Sequence, residues 1–116
     1  MHSSNSYETG LFAEFLARMY LRLHGFRIEK SRYITGRHTN RAEIDIIARR
    51  GKLLVFVEVK RRKDEQCAWG AISNNQILRL RRAAETYISQ KKWTWDARFD
   101  VIIVCKNRIR WIKNAI

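Results

Sequence analysis

Ala42-Glu43-Ile44-Asp45-Ile46-Ile47-Ala48-Arg49-Arg50-Gly51-Lys52-Leu53-Leu54-Val55-Phe56-Val57-Glu58-Val59-Lys60-Arg61-Arg62 decides the fold. Two runs rich in Ile, Val, Leu and Phe flank a turn that contains glycine, which is the pattern of a β-hairpin. The acids inside those runs need a reason. Side chains alternate with period two along a strand, so Glu43 and Asp45 share one face of the first run and Glu58 and Lys60 one face of the second. With Arg50-Gly51 as the turn, Arg49 pairs with Lys52, Asp45 sits opposite Phe56, Glu43 faces Glu58, and Asp45 lies diagonal to Glu58. Carboxylates facing each other in an apolar setting repel, and a divalent cation between them resolves the conflict.

Working outward, Leu11, Phe12, Phe15, Leu16, Met19, Tyr20 and Leu23 recur every three or four residues, so Tyr7–His24 is predicted as an amphipathic helix stopped by Gly25. Phe26–Glu29 reads as a short strand and Ser31–Arg41 as a flexible basic loop. The hairpin strands are placed at Ala42–Arg49 and Leu53–Lys60. A second helix, Ser73–Lys91, has Ser73 as N-cap and Ile77, Leu80, Ala84, Tyr87 and Ile88 as its buried stripe. Arg98–Cys105 reads as a strand covered on both faces, and Lys106-Asn107 turns it into a last strand, Arg108–Ile112. The order α-β-β-β-α-β-β indicates an α/β fold around a mixed central sheet.

A length of 116 residues predicts one domain, 1–116, with residues 1–6 as a flexible lead. Lys and Arg number 24 against 11 acids, a net charge of +13, and the pI is near 10.6; such a surface favours a polyanionic partner, nucleic acid first. No apolar run is long enough to span a bilayer and the N-terminus lacks a signal-peptide core, so no membrane partner and a cytoplasmic location are expected. Cys67 and Cys105 lack metal-ligand spacing and a secreted context; neither zinc nor a disulfide is expected, and Cys105 reads as a core residue. His2, His24 and His38 form no ligand set.

A strand carboxylate followed across a hairpin by Glu-x-Lys is an arrangement that assembles a metal site. Asp45 and Glu58 offer hard oxygen ligands to Mg²⁺ or Mn²⁺, the Val59 carbonyl can complete the inner shell, and Lys60 can orient or deprotonate a water or neutralise transition-state charge. Arg61, Arg62 and Lys63 emerge beside this site, and Arg79 and Arg82 follow along the second helix; both groups suit backbone phosphates, although a solvated helix face explains the second almost as well. Glu43 can instead be a structural acid paired with Arg41 or Arg98, and Asp100, inside an apolar strand, suits a buried partner for an arginine. Glu14 lies off the apolar stripe of its helix and reads as solvent-facing, whereas Phe12, Phe15, Met19 and Tyr87 read as core. Among Trp69, Trp93, Trp95 and Trp111, one or two are candidates for exposure near nucleic acid. No helix-turn-helix is evident.

The segments Ala42–Ile47 and Val55–Lys60 resemble the signature of the YraN-like family of predicted endonucleases, within the PD-(D/E)XK, restriction-endonuclease-like superfamily. Gly10, Ala13-Glu14 and Ala17, then Arg98-Phe99-Asp100-Val101 and Trp111-Ile112-Lys113, extend the resemblance over nearly the whole chain. It implies a three-layer fold with helices flanking a mixed sheet, and a metal-dependent endonuclease acting on DNA, including branched DNA, with RNA open as an alternative. By similarity to Holliday-junction resolvases, Glu14 joins Asp45, Glu58 and Lys60 at the metal, and cleavage of a junction implies a homodimer. The chain departs from the family pattern at Ala13 and Ala42, where glycine is usual, and at Gln76, where a lysine contributes a phosphate contact. A nucleic-acid-binding module without turnover is the alternative reading.

Overall fold

The computed structural model describes residues 6–38, 41–63, 72–106 and 108–116. Helix α1 (Ser6–Leu23) leads into β1 (Arg27–Thr35), β2 (Ala42–Arg50) and β3 (Leu53–Arg61); α2 (Asn74–Lys91) precedes β4 (Asp96–Val104) and β5 (Ile109–Ile112). The five strands form one sheet in the order β1-β2-β3-β4-β5. β3 and β4 are parallel and the other neighbours antiparallel, so the chain between β3 and β4, with α2 in it, is the crossover that a parallel pair needs. α1 packs on one face and α2 on the other, giving the predicted three-layer α/β architecture.

Alternation along β3 serves both faces: Val55 and Val57 join the core under α1, and Leu54 and Phe56 the core under α2. Ile102 and Val104 of β4 likewise face α1, whereas Val101 and Ile103 lie on the reverse side. Leu53–Val57 of β3 and Val101–Val104 of β4 are therefore apolar without interruption, because both faces are covered there.

Four expectations are corrected. The face of α1 against the sheet is Ala13, Ala17 and Leu21, while Phe12, Phe15, Met19 and Leu23 of the predicted core stripe are exposed. Methyl-sized contacts let the helix lie close to the strands, which phenylalanine at those positions would prevent. Ser31–Thr35, expected in a loop, belongs to β1; it is an edge strand without a fully buried residue, exposed at Arg27 and Lys30–Arg32, with a register shift between Ile28 and Lys30. The hairpin turns at Gly51-Lys52, since Arg50 pairs with Leu53 and Arg49 with Leu54; Gly51 supplies the φ of +60° that the first central residue of a type II′ turn requires. Finally, Cys105 is a core residue as expected, but it is disulfide-bonded, against the expectation of no disulfide; Cys67 and Trp69 lie outside the described residues.

The helix ends match their local chemistry. Ser73 caps α2 and forms a capping box with Gln76. At the end of α1, Phe26 N–H donates to the Leu21 carbonyl and Gly25 N–H to that of Arg22, with Gly25 at φ +86°. Trp93 N–H closes α2 in the same way onto Ile88, but there a lysine, Lys92, takes the left-handed position at φ 57°.

Candidate active site

Asp45 sits where the hairpin ladder stops. The last β2–β3 pair is Ile46 with Val57, and beyond it the Val59 N–H donates to Asp45 Oδ2 at 2.8 Å. The sheet alternation breaks here as well. Ile46 and Ala48 face α1, yet Ile44, two residues before Ile46, joins Ile47 under α2. That local rotation of β2 leaves the Asp45 side chain between the two faces of the sheet, within electrostatic reach of both Glu58 and Glu14.

Glu58 and Lys60 share the α2 face of β3, with Lys60 Nζ 3.3 Å from Glu58 Oε2 and both side chains about as buried as each other (14% and 15% exposed). Gln76, at the start of α2, bridges them: its Nε2 donates to Glu58 Oε2 at 3.3 Å and its Oε1 accepts from Lys60 Nζ at 3.4 Å. The capping box fixes the Gln76 backbone, so the first turn of α2 is tied to the Glu-x-Lys strand. Gln76 is therefore placed at the carboxylates, a bracing position that the expectation of a phosphate contact near this residue did not include.

A pocket of about 290 Å³ opens over Asp45 and Glu58, lined also by Arg41, Glu43, Gln76, Arg79 and Leu80. Burial raises the Asp45 carboxyl, and the Glu58 charge raises it further; the Val59 N–H opposes both, and the result is a pKa pushed up to about 8. Two carboxyls that repel each other in one pocket, one of them holding its proton at neutral pH, form an oxygen donor pair of the kind a divalent cation fits. Among the described residues, no three Asp, Glu, His or Cys side chains gather as a metal cluster. An inner shell here would consist of Asp45 and Glu58 with backbone oxygen and water.

The remaining predicted residues divide. Glu14 adds to the field at Asp45, but its carboxylate is held by Arg32, Nε to Oε1 at 2.9 Å and Nη2 to Oε2 at 3.4 Å, and it does not line the pocket. Glu43 is exposed, lines the rim and lies 3.7 Å from Arg41. Asp100 is structural: its side chain accepts two 2.8 Å bonds from Arg98, one from Trp111 Nε1 and one from the Asn114 N–H, on the face of the sheet that carries α1. Arg79 lines the pocket, and a groove of about 480 Å³ continues from it past Arg41, Asn75, Leu78 and Arg82. Arg61, the last residue of β3, and Lys63 beyond it are exposed; Arg62 is half-buried and donates to the Arg61 carbonyl. Arg41 was missed as part of a cationic path; only its nearness to Glu43 in sequence marked it. Trp93 is buried, Trp111 is engaged by Asp100, and Trp95, half exposed, lies near Arg49 and Lys52 at the far end of β3 from Glu58. No described helix is long and apolar enough to cross a membrane.

A family model described as "Uncharacterised protein family UPF0102" matches residues 13–104. A UPF0102 protein of Shewanella sediminis is 41% identical over 114 residues, covering 95% of this chain and 92% of that protein. One from Rhizobium etli is 36% identical over 102 residues (86% and 80%), and one from Vibrio parahaemolyticus 36% over 118 residues (97% and 89%). With a family model matching most of its length and relatives aligned along nearly all of it, the chain belongs to uncharacterised protein family UPF0102.

Proposed function

We propose that this protein is a metal-dependent endonuclease of the PD-(D/E)XK type that hydrolyses DNA phosphodiester bonds, including those of branched DNA. The observation that carries this reading is the Asp45–Glu58 pair, two carboxyls repelling each other in one pocket, with Lys60 and Gln76 bonded to the same glutamate. Asp45 and Glu58 would hold Mg²⁺ or Mn²⁺, with the Val59 carbonyl as a third donor. The ion would supply activation of a water and stabilisation of charge on phosphate.

The protein's own groups do the rest. Asp45 would hold the ion as a carboxylate, its proton passing to solvent, and the Val59 N–H keeps that carboxylate aimed. Lys60 is steered between Glu58 and Gln76, where its ammonium can face a phosphate oxygen; water adds to phosphorus as the bridging P–O bond to the leaving sugar oxygen breaks. Arg41, Arg79 and Arg82 line the cleft that leads away from the acids and suit flanking phosphates, with Arg61, Arg62 and Lys63 as a second basic group past β3. Such contacts set register and affinity without reading bases.

Cleavage of duplex, four-way junction and single-stranded DNA with Mg²⁺ or Mn²⁺ tests this. Cutting should be abolished by chelation and fall by two or more orders of magnitude in Asp45→Asn and Lys60→Ala. A second reading, a binding module without turnover, is favoured by the Arg32 clamp on Glu14, which keeps a third acid from the site. Salt-sensitive DNA binding with no cutting under any of these conditions would establish the module instead. Including an RNA duplex distinguishes an RNA-directed enzyme.

A further inference from the structure

Helix α1 is apolar on two sides. Its inner side, Ala13, Ala17 and Leu21, is buried against the sheet. Its outer side leaves Leu11 37%, Phe12 60%, Phe15 46%, Met19 41% and Leu23 80% exposed. The spacing from Phe12 through Phe15 and Met19 to Leu23 puts these side chains in one stripe, about 17 Å long at about 1.5 Å per residue. Arg22 lies alongside, with Nη1 3.8 Å from the Met19 sulfur, and no charged side chain interrupts the sequence of the stripe itself.

We propose that this stripe is the interface of a twofold homodimer, occupied by α1 of a second copy of this chain. The proposal is independent of the hydrolase reading. Since a fully exposed large aromatic presents about 200 Å², the five side chains leave about 500 Å² uncovered, as large as the biggest apolar patch of a typical monomer. Two such patches face to face remove about 1,000 Å² from water, the size at which a specific interface begins. A straight stripe on a single helix is also its own complement. Laid antiparallel across a twofold axis, Phe12 and Phe15 of one copy meet Met19 and Leu23 of the other, and the helix dipoles oppose. Charge points to the same occupant: copies carrying +13 repel each other over most of their surface, and this uncharged strip is where they can touch.

Sedimentation of the full chain without nucleic acid tests the proposal. A dimer is expected, and it should tighten as salt rises, because screening weakens repulsion between like-charged copies while apolar contact persists. That trend is opposite to the one for DNA binding. Phe12→Ser with Phe15→Ser should weaken the dimer by about tenfold or more, a change of about 1.4 kcal/mol or more, with the thermal midpoint of the monomer retained. Leu23→Ser gives the same readout should the double variant lose helical signal. A wild-type chain that stays monomeric at all concentrations overturns the proposal, as does a dimer indifferent to these substitutions. A monomer that floats with anionic vesicles in a Phe15-dependent manner would assign the stripe to lipid instead.

Discussion

Asp45 is the residue on which stability and chemistry compete. Its folded pKa, about 8, lies above its ordinary value of 3.8, so between those limits the folded chain binds more protons than the unfolded one. Stability from this group therefore falls as pH rises from about 4 towards 8 and levels off above that. Asp45→Asn keeps an acceptor for the Val59 N–H and removes the charge. Without divalent metal it should be more stable than wild type at pH 8 by about 2–4 kcal/mol, the coupling to Glu58 being discounted, with the difference vanishing near pH 4. Urea denaturation at the two pH values checks this, and an Asn variant no more stable at pH 8 would show that the carboxylate is not under strain. Added Mg²⁺ should raise the thermal midpoint of wild type but not of the variant. Asp100 is the opposite case, an acid whose four bonds to Arg98, Trp111 and Asn114 join β4 to the C-terminal segment. Asp100→Ala should cost about 3–5 kcal/mol in the same assay by leaving the Arg98 guanidinium without its partner.

At the scale of elements, α1 separates what alanine and phenylalanine do. Ala17 is fully buried against the sheet, so Ala17→Leu should push the helix outward and destabilise by about 1–3 kcal/mol, whereas Phe15→Ser should leave the monomer within about 0.5 kcal/mol. Circular dichroism melts of the two variants below the concentration at which copies associate decide between these faces; equal losses would mean that both are core. This contrast also marks the limit of what the hydrophobic pattern could reveal. Periodicity located α1 and both its ends, but a helix with two apolar sides does not say which meets the sheet, and weighting by side-chain size chose the wrong one. The hairpin was legible because its apolar runs and glycine agree, and a register displaced by two residues preserves side-chain parity, so Glu58 and Lys60 stayed on the expected face. The same parity brings Asp45 to Glu58, directly opposite once the Ile46–Val57 register is continued rather than diagonal; what no period-two rule contains is the turn of β2 that puts Ile44 with Ile47 under α2. β1 was illegible past Glu29 because an exposed edge strand has a polar composition like that of a loop. The capping of α2 by Ser73 was readable from residue type, but the reach of Gln76 to Glu58 and Lys60 required the helix to be docked. At the other end of α2, Lys92 in the left-handed region should gain about 0.5–1 kcal/mol as Lys92→Gly, visible as a higher thermal midpoint.

At the scale of the molecule, a charge of +13 guarantees attraction to polyanions but not where they lie. Two basic sets compete for the path. Arg41, Arg79 and Arg82 line the cleft and the groove continuous with it, on the side of the sheet where Glu58 meets α2. Arg61, Arg62 and Lys63 continue from β3, and Arg61, by alternation from Val57 and Val59, leaves the strand towards the α1 side. On the proposed reading the first set is favoured, because Arg41 and Arg79 line the same pocket as the acid pair. Each phosphate neutralised contributes a slope of about 0.9 to the fall of log K with log salt on duplex DNA. Arg79→Ala with Arg82→Ala should therefore flatten that slope by about 2 and lower affinity about equally for unrelated sequences, measured by fluorescence anisotropy in a chelator so that cleavage plays no part. Arg61→Ala with Arg62→Ala should flatten it by less, since Arg62 is half-buried and already bonded to the Arg61 carbonyl. The reverse ranking would move the proposed path to the end of β3 and leave the groove beside α2 without a role in it.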